Sequence, residues 1–289
     1  MSASSAEYRI DLGGTIFSLR CRPDAFAGDL AAWFQRPSAT GQPHICLDLE
    51  IVPHTDSPQF PTSLVTTKTL TPNGGFDIGD GLFSGHFDPA TGTGTIRAKE
   101  VLTQGPLRRI LEQIFYQAFW SARAAAGAGS FLIHSSAVIA GGLGFLFVGP
   151  SEAGKSTVAK LSRAHHVLGD EMNLIVPGKS GLRVVGTLFN GLFQEKRAGE
   201  APLAGVFLLK QAPQHALTAV PLIEAVVALA AEIVPPVGLN ESPTRDTLPA
   251  MMDLAESLAS GTTIKVLEFL PDDGFWPVIG AEFGFQGGR

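Results

Sequence analysis

The chain has 289 residues, 45% of them hydrophobic and 17% charged, with a formal net charge of −6. That is enough for one large or two medium domains with a real core, which excludes a disordered chain. The acidic balance and the lack of a basic run argue against a dedicated nucleic-acid binder.

Cys21 and Cys46 lie far from any Cys-x-x-Cys or Cys/His spacing, so they read as buried free thiols of a reducing compartment rather than zinc ligands. Residues 1–7 lack the basic start and apolar stretch of a signal peptide. Two apolar regions stop short of the about 20 uninterrupted residues that a bilayer span needs. Phe131 to Val148 carries His134, Ser135, Ser136 and a glycine break, and Ala216 to Leu239 carries Glu224, Glu232 and Pro235-Pro236. The expectation is a cytoplasmic protein without a membrane partner.

Residues 1–104 read as a β-rich N-terminal region. Tyr8 to Leu12 alternates, Gly13-Gly14 turns, and Ile16 to Cys21 continues; Pro23 to Phe34 holds a short helix. Ile45, Leu47, Leu49 and Ile51 fall on one face of a strand. A Pro/Thr/Ser-rich connection follows from Pro53 to Pro61. Short hairpin strands are expected around Phe76, Ile78, Phe83 and Phe87, with Thr95 to Ala98 pairing back. His44, His54 and His86 have no metal spacing and read as structural or surface groups.

Residues 105–289 read as a second domain. Leu107 to Ala126 is a helix by the spacing of Leu107, Ile110, Leu111, Ile114, Ala118 and Phe119. Phe131 to Ala140 and Phe145 to Val148 form a hairpin around Gly141-Gly142. Residues 166–169 read as a strand ending at Asp170-Glu171. Residues 172–176 and 182–185 form another hairpin, and 186–191 a turn-rich loop. Glu195-Lys196-Arg197 is expected on the surface, where Lys196 or Arg197 could steady a phosphoryl group. A strand over 202–210, helices over 218–234 and 246–260, a strand over 263–270 and a tail from Phe275-Trp276-Pro277 complete the chain.

The stretch with the most chemistry is Gly149-Pro150-Ser151-Glu152-Ala153-Gly154-Lys155-Ser156-Thr157, which fits the phosphate-loop pattern G-x-x-x-x-G-K-[ST]. A triphosphate needs many donors and no bulk against it. Glycines let successive backbone N–H groups point inward, and the following helix adds its own donors. Lys155 can reach the outer phosphates, and the Ser156 hydroxyl can join the oxygen shell of Mg2+. The apolar strand before the loop and the helix after it supply the order this mechanism requires. Asp170, placed after an apolar strand, has the position of a carboxylate that binds Mg2+ or acts as base beside such a loop.

The ordered set of His134 on a strand, the loop 149–157, Asp170-Glu171, Gly186-Thr187-x-Phe189 and Ala201-Pro202-Leu203 resembles the catalytic domain of HPr kinase/phosphorylase and its relatives over about residues 128–285. The resemblance implies an α/β (α+β) fold, with a phosphate-loop core of the phosphoenolpyruvate carboxykinase kind behind the β-rich region. It implies ATP on Gly149–Thr157, Mg2+ held by Ser156, Asp170 and Glu171, Asp170 as base towards an acceptor hydroxyl, and His134 facing the phosphates. Relatives assemble as homo-oligomers.

The chain departs from the family in three places. Glu152 stands where glycine is usual, Asp170-Glu171 replaces an Asp-Asp pair, and the glycine-rich signature with its extra carboxylate has no match after Glu171. These departures speak against HPr as substrate and against the phosphorylase reaction. The expected activity is transfer of the γ-phosphoryl of ATP to a serine of a protein or peptide, or to a small alcohol. The alternatives are an ATP-binding regulatory or scaffold module without catalysis and, third, plain NTP hydrolysis.

Overall fold

The computed structural model describes residues 6–22, 27–34, 39–53, 67–125, 129–187, 189, 191–234 and 248–285. The chain divides into two compact units, Met1–Ala128 and Gly129–Arg289. Both mix helices with a β-sheet, as an α+β chain does. No helix among the described residues is long and apolar enough to cross a membrane.

The first unit is built on a seven-stranded sheet. Its strands are β1 (Ala6–Leu12), β2 (Thr15–Arg22), β3 (Ile45–Val52), β4 (Thr67–Leu70), β5 (Phe76–Gly79), β6 (Phe83–Asp88) and β7 (Thr93–Lys99). The spatial order is β1-β2-β3-β7-β6-β5-β4. Helix α1 spans Ala27–Phe34. Alternation along β3 and β6 buries Ile45, Leu47, Leu49, Phe83 and Phe87 and leaves the other face polar, as expected of a half-covered sheet.

Helix α2 (Leu107–Ala125) belongs to this unit, whereas the sequence reading places it with the phosphate loop. Its apolar stripe has its partner here: the Phe115 ring lies 5.5 Å from that of Phe17. A Cβ on Gly85 would come within 3.3 Å of Ile114 Cδ1. His44 Nδ1 accepts from the Ile16 N–H at 3.0 Å and His86 pairs with Asp77 at 2.8 Å, so both are structural or surface groups. His54 and the connection beyond Pro53 lie outside the described residues, as do 23–26 of the first expected helix.

The second unit contains β8 (Phe131–Ala140), β9 (Leu143–Val148), α3 (Lys155–Leu161), β10 (His166–Gly169), β11 (Met172–Gly178), β12 (Gly181–Gly186), β13 (Glu200–Gln211), β14 (Ala216–Ala219), α4 (Leu222–Glu232), α5 (Leu248–Gly261), β15 (Thr263–Phe269) and α6 (Phe275–Phe283). β8 and β9 form the expected hairpin. β9 runs parallel to β13, and β13 parallel to β15. The long strands β8 and β13 each change partners along their length. β8 pairs with β11 near its start and with β9 and β10 further on; β13 pairs first with β12, then with β9 and β15. With the β11–β12 hairpin, the pairings close a circuit through β8, β9, β13, β12 and β11.

The core beneath this circuit is aromatic. Phe145, Phe147, Phe207, Phe275 and Trp276 cluster with Val158 and Ala159 of α3, and Phe147 lies 5.4 Å from Phe207, centroid to centroid. The Trp276 indole N–H donates to Ser162 Oγ at 3.1 Å. This bond ties α6 to the end of the helix that follows the loop and satisfies both buried groups.

Three local expectations change. The helix expected over 218–234 is shorter, because Ala216–Ala219 pairs antiparallel with β15 as an edge strand and the helix starts at Leu222. The tail from Phe275 is a helix, with Pro277 in its first turn, where the missing N–H costs nothing. Lys196 is buried, its ammonium donating to the Phe189 carbonyl at 2.6 Å. Arg197 donates to the His165 carbonyl at 2.8 Å. Residues 188, 190, 235–236 and 246–247 fall outside the described set.

Candidate functional site

The loop 149–154 leaves the carboxyl end of β9 and feeds directly into α3, whose first residue is Lys155. Two features set its shape. Gly154 has φ of 112°, and a Cβ there would sit 2.7 Å from Phe269 Cζ, so only glycine lets the loop lie against the end of β15. Glu152, at φ of 68°, is the one non-glycine among the described residues in the left-handed region. Its carbonyl accepts from Gln211 Nε2 at 3.1 Å.

A cleft of about 540 Å3 opens over this loop. His134, Pro150, Ser151, Glu152, Gly154, Lys155, Ser156, Thr157, Asp170 and Glu171 line it, so it gathers the sequence-predicted residues from β8, the loop, α3 and the turn after β10. Gly149 and Ala153 are not on its wall. A Cβ on Gly149 would meet Ala153 Cβ at 2.8 Å, so this pair closes the loop on itself.

Lys155 is held back on the loop. Its ammonium donates to the Gly149 carbonyl, donates to the Pro150 carbonyl at 3.1 Å, and lies 3.8 Å from Glu232 Oε2. The Lys155 carbonyl accepts from Ser136 Oγ of β8, which anchors the start of α3 to the sheet.

Asp170 is only 2% exposed. Its Oδ2 accepts from the Phe193 N–H at 3.0 Å, whereas its Oδ1 is buried without a hydrogen-bond partner among the described residues. The backbone at Gly191 crosses so close that a Cβ there would lie 2.3 Å from Oδ1. The segment that makes this approach is pinned at both ends: Thr187 Oγ1 donates to the Met172 carbonyl at 2.8 Å, and the Arg197 N–H donates to the Val167 carbonyl at 2.9 Å.

His134 pairs with Met172 across β8 and β11 and lies beside Glu171. Burial pushes its imidazole pKa below the ordinary value; the Glu171 carboxylate opposes the shift and Lys155 adds to it. A backbone hydrogen bond with Glu171 also opposes the shift; the neutral ring that burial favours has one N–H donor and one acceptor nitrogen.

Two cleft residues were missed by sequence reasoning, Leu192 and Glu232. Leu192 is 75% exposed. Glu232 ends α4, and burial raises its carboxyl pKa while Lys155 pulls it back. The only sequence signal for Glu232 is one acid near the end of an apolar helix, and the face it occupies depends on where that helix begins.

The cleft's oxygen groups suit Mg2+. Among the described residues no three His, Cys, Asp or Glu side chains form a group that could hold a metal ion. Mg2+ commonly takes one or two carboxylates and completes its shell with phosphate oxygens and water. The Ser156 hydroxyl, the unpartnered Asp170 oxygen and Glu171 supply that kind of incomplete set.

No protein-family model matches this chain, and no curated protein matches it in sequence. Among solved structures, an Hpr(Ser) kinase/phosphatase from Coxiella burnetii aligns at 13% identity over 44% of this chain and 95% of that chain, with a TM-score of 0.24. A likeness at that score carries no inference about activity.

Proposed function

We propose that this chain is a Mg2+-dependent, kinase-like phosphotransferase with a phosphate-loop core of the carboxykinase kind, taking the γ-phosphoryl group of ATP to a hydroxyl. The observation that carries the reading is Asp170: a buried carboxylate with one fixed and one unpartnered oxygen, in the same cleft as the loop 149–157. A buried carboxylate oxygen without a partner is costly. A hydroxyl proton or a cation delivered to that cleft offsets the cost.

In this reading the loop N–H groups and Lys155 bind the phosphates, and His134 stands beside them on the cleft wall. Ser156, Asp170 and Glu171 would hold Mg2+, which would supply positive charge against the outer phosphates. Asp170 accepts the proton of the acceptor hydroxyl as its oxygen bonds to the γ-phosphorus; the bond to the bridging oxygen breaks, and ADP leaves with that electron pair. The acceptor is a serine of a protein or peptide, or a small alcohol.

Calorimetry with ATP and Mg2+ on the wild type and Lys155→Ala tests the site, and Asp170→Asn tests the chemistry. Saturable binding lost in Lys155→Ala supports the site. Transfer from labelled ATP to a component of a cell extract, reduced about 10²–10⁴-fold in Asp170→Asn with nucleotide binding kept, supports the base.

A second reading, ATP binding without transfer, draws on Lys155 being bonded to its own loop and on two carboxylates, Glu152 and Glu232, standing in the cleft. Tight binding with no transfer to any acceptor decides for it.

A further inference from the structure

A second hollow, of about 450 Å3, adjoins the cleft at Gly154 and Thr157. Its remaining lining is Gln211, Ala212, Phe269 and Pro271. None of these carries a formal charge, in contrast to the cleft with its Asp170, Glu171 and Glu232. Its volume falls within the about 300–1,000 Å3 of small-molecule sites, and an apolar wall with a few polar groups, here Gln211 and Thr157, is their usual chemistry.

The place is fixed by the sheet. Gln211 and Phe269 are the last residues of the parallel strands β13 and β15 and pair with each other. The Ala212 N–H donates to the Phe269 carbonyl at 3.1 Å. The hollow thus lies beyond the carboxyl ends of parallel strands, where such sheets take ligands. It is also built to hold its shape. Phe269 packs edge-on against Phe275, with centroids 6.1 Å apart and planes at 82°. Pro271 precedes a turn in which Asp272 Oδ1 accepts from the Gly274 N–H at 2.9 Å and pairs with His215 at 2.8 Å.

The hollow and the phosphate loop are joined at two points. Gly154 lacks the Cβ that would strike the Phe269 ring, and the Gln211 amide donates to the Glu152 carbonyl. A ligand whose phosphates rest on the loop can therefore extend in two directions: towards carboxylates, or into an uncharged hollow walled by an aromatic ring, a proline, an amide and Thr157.

We infer that the hollow formed by Gln211, Ala212, Phe269 and Pro271 is the nucleobase subsite, so that the triphosphate is recognised as a nucleotide on the β13–β15 side and the acceptor enters from the Asp170 side. A flat heteroaromatic ring meets apolar surface on its face and an amide at its edge, which is what this wall presents. The inference rests on the phosphate-binding reading of the loop.

The test titrates the wild type, Ala212→Trp and Gln211→Leu with ATP and with inorganic tripolyphosphate, each with Mg2+. Circular dichroism melts check that the variants fold, and Gln211→Leu, at an exposed position, stands in should the larger side chain fail to fold. The expected result is that wild type prefers ATP to tripolyphosphate by about tenfold or more. Both variants lose most of that preference, with tripolyphosphate affinity kept within about twofold. Equal binding of the two ligands by wild type, or variants that retain the ATP preference while tripolyphosphate still binds, overturns the subsite alone. Failure of wild type to bind either ligand overturns the phosphate-site reading and the subsite with it.

Discussion

Glu152 lines the cleft proposed to take the phosphates. At φ of 68° it occupies backbone space that costs an L-residue about 1–2 kcal/mol and glycine nothing. Glycine, however, gives up about 0.5–1 kcal/mol through the unfolded chain. Glu152→Gly is therefore expected to change stability by no more than about 1 kcal/mol. It also removes a negative charge from the cleft wall, so triphosphate binding should tighten by about threefold to tenfold at low salt and less at high salt. Calorimetry at two ionic strengths reads this. Unchanged affinity at both would show that the Glu152 carboxylate does not feel the ligand.

Glu232 also lines the cleft. Burial raises its pKa above the ordinary 4.5, with Lys155 opposing. The folded protein then holds this proton more tightly than the unfolded chain does. The resulting stability is complete below the ordinary value, is lost as pH rises through the raised one, and leaves a net cost at neutral pH. Glu232→Gln should thus melt higher than wild type at pH 7, with the gap narrowing as pH falls towards 4.5. A lower melting temperature at pH 7 would mean that the pairing with Lys155 outweighs desolvation.

At the scale of elements, the strand–loop–helix order around residues 143–161 and the alternation of β3 were legible because both signals are local. The edge strand β14 was not. A short apolar run looks the same whether it continues a helix or pairs at a sheet edge, and its partner β15 lies some fifty residues further along the chain. Glu232 was hidden for the same reason, since its place in the cleft follows from α4 starting at Leu222. Lys196 was misjudged because charge alone suggests the surface. The chain instead folds back over β10, and the Phe189 carbonyl receives the ammonium.

That same fold-back segment gives an element-level prediction. Gly191 passes so close to Asp170 that an added Cβ would overlap Oδ1 at 2.3 Å. In Gly191→Ala either the segment lifts or the carboxylate turns away, and the Phe193 N–H bond goes with it. Phosphoryl transfer should fall by about 10²-fold, while ATP affinity, which the proposed function assigns to the loop and Lys155, stays within about threefold. A variant with full transfer activity would show that the close approach does not position Asp170.

For the whole molecule, the division at 128/129 carries a consequence for where function resides. Among the described residues, those that line the cleft, from His134 to Glu232, lie in Gly129–Arg289, and so do those of the adjoining hollow. That unit also has its own aromatic core and its own closed circuit of strand pairings, the usual conditions for folding alone. The first unit has its own sheet, covered by α2. A fragment beginning at Gly129 is therefore expected to melt cooperatively and to bind ATP with Mg2+ within about threefold of the full chain. The first unit would then matter for the acceptor rather than the nucleotide: transfer from labelled ATP to the extract component should weaken in the fragment through KM more than kcat. A fragment that folds but no longer binds ATP would sink this division of labour. It would place part of the nucleotide's affinity in the first unit.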